Sequence, residues 1–146
     1  MIILTPSLND PQIMRQIIMD HYQYPRNRKV NAGPDYQKIH VGSDGCIDSI
    51  DVYAKIKDGH ITDVSFDGVA CAISTASTSI MSELLKGKSI AEANTIIDNY
   101  LNMIYERPYD EAVIEEAIVF QNTHKQANRI KCATVSWLGI KEIINK

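Results

Sequence analysis

A turn signal between two alternating segments constrains the fold of this chain more than any other feature. From Cys46 to Lys57 apolar and polar residues alternate with a period of two, which is typical of a strand with one buried face. Asp58-Gly59 follows directly, and this dipeptide is typical of a tight hairpin turn. Alternation resumes through Thr62, Val64 and Phe66. The pattern therefore predicts two antiparallel strands.

Apolar residues at helical spacing lie on both sides of these strands. The spacing predicts helices over Asp10–Tyr22, Cys71–Leu85, Ser89–Ile104, Glu111–Phe120 and Arg129–Ile144. The segment Tyr24–Gly45 is rich in proline and glycine and predicts a loop, with a weakly signalled third strand within Tyr36–Val41. We therefore expect an α+β fold in which several helices cover a small antiparallel three-stranded sheet, with residues 1–146 forming a single domain.

Composition narrows the range of functions. The net charge is −3, which argues against nucleic-acid binding because that needs a basic surface to replace the counterions of phosphate. No apolar run approaches the roughly 18 to 20 residues of a membrane span. The three cysteines are an odd number, which argues against a disulfide framework and predicts a reducing, cytoplasmic location.

The cysteines all fall at predicted element boundaries. Cys46 begins a strand, whereas Cys71 and Cys132 fall in the first turns of helices, where the positive end of the helix dipole favours a thiolate. Asp48 lies two residues after Cys46, on the same face of the strand. Three thiolates and a carboxylate make the four ligands of a tetrahedral zinc site, and thiolates equally suit iron–sulfur clusters. The spacing alone leaves open a third reading, three independent buried or idle cysteines.

Three motifs, in order along the chain, carry a family resemblance. They are Ile18–Tyr22 with Pro25–Arg28, Gly68 followed by Cys71–Ser77, and Arg129–Thr134 with Trp137. Together they resemble the NifU/IscU-type iron–sulfur assembly family over nearly the whole chain. The chain is most similar to the SufU branch, because Lys131 stands where scaffold-type members have a histidine and because Asp98–Asn128 is long enough to hold the extra SufU segment.

The resemblance implies a site and partners. According to the resemblance, one zinc ion is bound by four residues, Cys46, Asp48, Cys71 and Cys132. It also implies that Cys46 accepts persulfide sulfur from a SufS-like cysteine desulfurase. A partner histidine would displace a zinc ligand and free the Cys46 thiolate. Other iron–sulfur assembly proteins are the further expected partners. The alternative is an IscU-like scaffold that builds and transfers a [2Fe-2S] cluster on the same residues. The sequence therefore does not decide whether the chain is a zinc-dependent sulfurtransferase that acts with the desulfurase.

The chain departs from the family pattern beside the first cysteine. The family usually has Asn-Pro-x-Cys-Gly-Asp, whereas this chain has Ile47 between Cys46 and Asp48. Isoleucine does not reach the positive φ values that glycine adopts, so the loop would have to adjust if the family backbone needs them. Asp44 is an extra carboxylate that could replace Asp48 as a ligand.

The remaining polar residues have simpler readings. His21 is expected to end a helix and pack against the sheet, and Trp137 to lie in the core. The basic cluster of Arg26, Arg28 and Lys29 fits a solvated loop or a docking surface for the desulfurase. Arg129 and Lys131 flank Cys132 and could stabilise its thiolate. The serines and threonines between Ser74 and Ser79 are typical of close helix packing.

Overall fold

The computed structural model of this chain describes residues 10–30, 33–42 and 47–146. The described helices are α1 (Pro11–Gln23), α2 (Ala72–Leu85), α3 (Ile90–Ile104), α4 (Glu111–Ile114) and α5 (Ala127–Ile144), with 3-10 helices at Glu115–Phe120 and Thr123–Lys125. The described strands are β1 (Tyr36–Gly42), β2 (Ser49–Lys57) and β3 (His60–Val69). The α+β prediction is confirmed.

The strands form an antiparallel sheet in the order β1-β2-β3. The predicted hairpin joins β2 to β3, and Asp58 and Gly59 both have the positive φ values, 53° and 75°, of such a turn. The third strand, β1, is also confirmed, so the loop prediction for Tyr24–Gly45 is wrong over Tyr36–Gly42.

A bulge in β3 corrects one predicted face of the hairpin. Lys55 pairs with Asp63 and the next residue, Ile56, pairs with Ile61, so Thr62 is an extra residue without a partner in the ladder. Residues two apart on a regular strand point to the same face. Across the bulge, Ile61 and Asp63 pair with adjacent residues of β2 and therefore point to opposite faces, which reverses the alternation. Thr62 is therefore exposed rather than in line with the buried Val64, and Ile61 is buried in its place.

The predicted helix starts are confirmed where a cap signalled them. The Asp10 carboxylate accepts a hydrogen bond from the Gln12 amide at the start of α1, and Ser89 forms a capping box with Glu92 at the start of α3. The predicted helix over Glu111–Phe120 is α-helical only in α4 and continues as a 3-10 helix. The last helix, α5, starts at Ala127, two residues earlier than predicted.

The helices pack on the sheet and on each other around α5. Helix α5 contacts β1 and β2, while α2 contacts β3 and lies along α5. Trp137 is fully buried, as predicted, and stacks on Tyr100 with ring centroids 3.8 Å apart. In the described part of the chain no helix combines the length and the apolar character that crossing a membrane requires.

Hydrogen bonds as well as apolar contacts join α2 to α5. Ser77 Oγ donates to the Ala133 carbonyl oxygen at 2.7 Å and accepts from Trp137 Nε1 at 2.9 Å. One turn of α5 further on, the hydroxyls of Thr78 and Ser136 are 2.6 Å apart. These side chains are buried, which confirms that the serines and threonines serve close helix packing.

Candidate metal centre

Three of the four predicted ligands converge at one end of the sheet. Asp48 immediately precedes β2, Cys71 immediately precedes α2, and Cys132 lies within α5. One ligand atom from each lies within 4.8 Å of the others, and no other such group of three occurs among the described residues. The predicted ligand Cys46 and the alternative carboxylate Asp44 lie outside the described residues.

Close strand pairing brings Asp48 and Cys71 together. Ser49 pairs with Val69, so the first residue of β2 lies opposite the last residue of β3. Gly68 permits the close approach of the two backbones, since a Cβ on it would lie 2.2 Å from the Ser49 carbonyl oxygen. Cys71 follows two residues after Val69, and its amide donates to Asp48 Oδ1 at 2.9 Å.

Cys71 is the N-cap of α2, as its predicted place at a helix start implies. Its Sγ accepts a hydrogen bond from the Ser74 amide at 3.4 Å, in the way that a serine or aspartate oxygen usually caps a helix. The sulfur therefore faces the amide groups of the first turn, where the helix dipole favours an anion.

Cys132 does not lie in the first turn of its helix, which corrects the prediction. Because α5 begins at Ala127, Cys132 is its sixth residue and its amide is within the helix rather than at the exposed end. The helix dipole therefore gives no reason for a thiolate at this position. Cys132 is 1% exposed, and Lys131 beside it is exposed.

Asp48 is 6% exposed, and its carboxylate is held by this chain at both oxygens. Oδ1 accepts from the Cys71 amide, and Oδ2 accepts from the Ser74 hydroxyl at 2.5 Å. Each carboxylate oxygen has two lone pairs, so each keeps one for a metal ion.

The donor set fits a tetrahedral metal site. Two thiols and one carboxylate are zinc ligands, and ligand sulfurs around zinc at about 2.3 Å are about 3.8 Å from each other. The described donor atoms lie within 4.8 Å of one another, so shifts of roughly 1 Å would bring them to bonding distance. The Cys132 thiol donates to the Asn128 carbonyl oxygen at 3.8 Å, and this proton would leave on metal binding, because thiols bind metal ions as thiolates.

Ile47 is 67% exposed beside this centre, as is Val69 at 64%. Ile47 directly precedes Asp48 and Val69 ends β3 two residues before Cys71, so two exposed apolar side chains lie near the candidate ligands along the chain. The residue that replaces the family glycine therefore lies on the surface and not in the core.

The contacts of His21 differ from the predicted packing against the sheet, because its ring bonds α2 and the 3-10 helix Glu115–Phe120. His21 is 4% exposed, with Nδ1 at 2.7 Å from Ser79 Oγ and Nε2 paired with Glu116. The hydrogen bond from His21 holds the pKa of the Glu116 carboxyl below its usual value. Ser79 Oγ also accepts from the Arg26 amide, so the network fixes the start of the basic loop.

The basic loop is not simply solvated. Arg26 pairs with Asp20 at 2.5 Å, and this guanidinium lowers the pKa of the Asp20 carboxyl. Arg28 pairs with Asp67 at 3.4 Å and donates to the Gly68 carbonyl oxygen at 2.9 Å. Arg28 therefore ties the loop to the end of β3 that leads to Cys71.

Sequence reasoning missed Ser74, which was treated only as a packing residue. Its side chain reaches Asp48, and its hydroxyl lies 2.9 Å from the Cys132 carbonyl oxygen. The available signal was its position, three residues after an N-cap cysteine, where the backbone amide and the side chain both face the cap.

Comparisons with known proteins agree with this architecture. The chain is 33% identical over 135 residues to the zinc-dependent sulfurtransferase SufU of Bacillus subtilis (strain 168), which covers 92% of this chain and 90% of the relative. It is 31% identical over 101 residues to the iron–sulfur cluster assembly scaffold protein IscU of Thermotoga maritima, which covers 69% of this chain and 71% of that one.

Solved structures show the same fold. The crystal structure of FiSufU from Fervidobacterium islandicum AW-1 matches with a TM-score of 0.80 and 30% identity, over 94% of this chain and all (100%) of that one. The N-terminal part of a NifU-like protein from Brucella abortus has a TM-score of 0.81 over 95% of this chain at 24% identity, which shows the fold alone. The family model of the NifU-like N terminal domain matches residues 13–133. The predicted resemblance is thus confirmed, and the chain belongs to the NifU-like N-terminal domain family.

Proposed function

We propose that this chain is a zinc-bound sulfur acceptor in iron–sulfur cluster assembly. The observation that carries the proposal is the convergence of Asp48, Cys71 and Cys132 within 4.8 Å. It occurs in a chain that shares 33% identity with a zinc-dependent sulfurtransferase over 92% of its length. We propose that residues 1–146 act as one domain, in the cytoplasm, where thiols stay reduced.

The proposed ligands are Cys46, Asp48, Cys71 and Cys132. Cys46 precedes Asp48 by two residues, and two residues of extended chain span at most about 7 Å, so the sequence gives its thiol the reach to join the other three donors. Zinc bound by thiolates keeps them deprotonated and unreactive until a ligand is exchanged. An aspartate oxygen is harder than a thiolate and suits zinc less well, so this ligand set would hold the ion less tightly than four thiolates, which supports the exchange of a ligand at this site.

The proposed reaction moves one sulfur atom between two cysteines. The Cys46 thiolate attacks the outer sulfur of a persulfide on the desulfurase, a new sulfur–sulfur bond forms on Cys46, and the bond to the donor cysteine breaks. The donor leaves as a thiolate and the persulfide proton stays with the transferred sulfur. No electrons are gained or lost overall. The partner histidine expected from the family resemblance would take the place that Cys46 vacates on zinc.

The proposed partner is a SufS-like cysteine desulfurase, followed by later iron–sulfur assembly proteins. The exposed apolar side chains of Ile47 and Val69, next to the candidate ligands, support docking at this end of the sheet. Arg28, anchored on Gly68, adds a cation at the edge of the same surface.

A second candidate function is a scaffold that carries a [2Fe-2S] cluster as its cargo on the same residues. The likeness to IscU of Thermotoga maritima, at 31% identity over 69% of this chain, favours it. Elemental analysis and a visible absorption spectrum of protein purified without oxygen separate the two functions. Stoichiometric zinc in a colourless protein supports the sulfur acceptor, whereas iron, sulfide and charge-transfer absorption support the scaffold.

The test of the sulfur acceptor is Cys46→Ala, assayed with a SufS-type desulfurase. We expect the variant to lose the stimulation of alanine production from cysteine, and to lose the mass increase of one sulfur atom that wild-type protein gains. Tyr105→Ala is the control variant, because it also truncates an exposed side chain but lies at the end of α3, outside the candidate centre and the proposed docking surface. Full stimulation by Cys46→Ala in a folded protein would rule out this role.

A further inference from the structure

Ser74 contacts all three described members of the candidate metal centre. Its amide donates to Cys71 Sγ at 3.4 Å, its hydroxyl donates to Asp48 Oδ2 at 2.5 Å, and the same hydroxyl lies 2.9 Å from the Cys132 carbonyl oxygen. These three residues come from three separate segments of the chain, so Ser74 is where those segments meet.

The hydroxyl of Ser74 has one hydrogen and two acceptors. Its side chain is 0% exposed, so bulk water does not reach this hydroxyl, and its single hydrogen is shared between the two acceptors. The shorter distance is to the Asp48 carboxylate, which is the charged acceptor and the stronger of the two.

Two donors at the start of α2, one on its N-cap residue and one in its first turn, fix the plane of the Asp48 carboxylate. The Cys71 amide holds Oδ1 and the Ser74 hydroxyl holds Oδ2. The terminal torsion of an aspartate is otherwise broad, with no strong preference for one plane. With both donors present, the carboxylate is held in one plane, within 4.8 Å of the two thiols, and without Ser74 only one oxygen is held.

We propose that Ser74 is a positioning residue that sets the affinity of the centre for metal by orienting Asp48. Hydrogen-bond partners of metal ligands typically change metal affinity roughly 10- to 100-fold when they are removed. This inference rests on the proposed function, because it takes Asp48 as a zinc ligand. It assigns the effect to one hydroxyl group that does not itself bind the metal.

Ser77 provides a matched control on the same helix. It is as buried as Ser74, at 1% exposed, and its hydroxyl also donates to a carbonyl oxygen of α5, that of Ala133. The side chain of Ser77 bonds Tyr100 and Trp137 rather than a candidate ligand. Ser77→Ala therefore removes a buried hydroxyl from the α2–α5 interface without removing a donor to Asp48.

The experiment is a double-mutant cycle read out as zinc affinity, measured by competition with a chromophoric chelator. The variants are Ser74→Ala, Asp48→Asn, the two combined, and Ser77→Ala, each checked for its fold by circular dichroism. We expect Ser74→Ala to weaken zinc binding roughly 10- to 100-fold and Ser77→Ala to leave it within about threefold of wild type. In the Asp48→Asn background, Ser74→Ala should add no further loss, because it acts through that carboxylate.

Each outcome has one meaning. If Asp48→Asn binds zinc like wild type, the proposed ligand set is wrong. If Asp48→Asn weakens binding but Ser74→Ala does not, or if the two losses multiply, the inference about Ser74 is overturned while the ligand set stands. Should Ser74→Ala not fold, Ser74→Thr and Ser74→Val replace it, since they add similar bulk and differ in the hydroxyl. Equal zinc affinity in that pair would also overturn the inference.

Discussion

Replacing Gly68 with alanine tests whether close backbone contact at the end of the sheet holds the candidate metal centre together. Gly68 has φ +138°, and a Cβ there would lie 2.2 Å from the Ser49 carbonyl oxygen and 2.9 Å from Ile50 Cα. Both neighbours are backbone atoms of β2, so no side-chain rotation relieves the contact. The strands have to separate, and Asp48 moves with the first residue of β2.

The expected loss combines two effects. Holding a residue with a side chain in such a backbone conformation costs about 1–3 kcal/mol, and crowding in a packed region costs about 1–3 kcal/mol more. The sum, about 2–6 kcal/mol, is a large part of the ~5–15 kcal/mol that stabilises a typical domain. At about 2–4 °C per kcal/mol, the melting temperature should fall by roughly 4–24 °C.

The assay is urea unfolding of Gly68→Ala beside Gly59→Ala, followed by zinc titration of both. Gly59 also has positive φ, +75°, but a Cβ there would meet nothing within 4 Å, so only the conformational cost of about 1–2 kcal/mol applies. We expect Gly68→Ala to lose more stability and to bind zinc more weakly than Gly59→Ala. Equal losses of stability in the two variants would refute the reasoning from backbone contact.

Two further predictions concern charge and metal. The hydrogen bond from His21 lowers the pKa of Glu116 in the folded protein. The pair therefore contributes its full stability above the pKa of an unfolded glutamate, about 4.3. This contribution is lost as the pH falls through the lower pKa of the folded state. Glu116→Gln should therefore be less stable than wild type at pH 7, with a difference in urea midpoint that shrinks toward pH 3; a constant difference would contradict this. Removing zinc with a chelator should lower the melting temperature, because free zinc at about 100 times its Kd adds about 2.7 kcal/mol to the free energy of unfolding. An unchanged melting temperature would show that zinc binding adds nothing to the stability of the fold.

Local signals in the sequence predicted much of the fold. The turn at Asp58-Gly59 and the caps at Asp10 and Ser89 depend on a few neighbouring residues, and each is observed. The candidate centre was predictable for a different reason, because family motifs include Asp48, Cys71 and Cys132 together, whereas their spacing alone left a shared site undecided.

What the sequence predicted only weakly, or not at all, depends on contacts between distant segments. Strand β1 carries a weak pattern of its own, and its pairing with the central strand β2 stabilises it. The bulge at Thr62 reverses a face without a glycine or proline to mark it. The early start of α5 at Ala127 has no side-chain cap, and the position of Cys132 in the helix changed with it. The contacts of Ser74 follow only once α2 lies against α5.

The hydroxyl-rich interface between α2 and α5 bears on how the candidate centre would take up a metal ion. An apolar interface tolerates sliding, but a shift of one turn, about 5.4 Å, would here leave the buried hydroxyls of Ser77 and Thr78 facing the wrong groups. Each buried polar group left without a partner costs about 1–3 kcal/mol. These hydrogen bonds therefore fix the position of α2 along α5, and they do not depend on a bound metal ion. Cys71 and Cys132 travel on those helices. If the candidate centre binds a metal ion as proposed, we therefore expect its two sulfurs to stay in place when the ion leaves, so that metal can bind again without refolding.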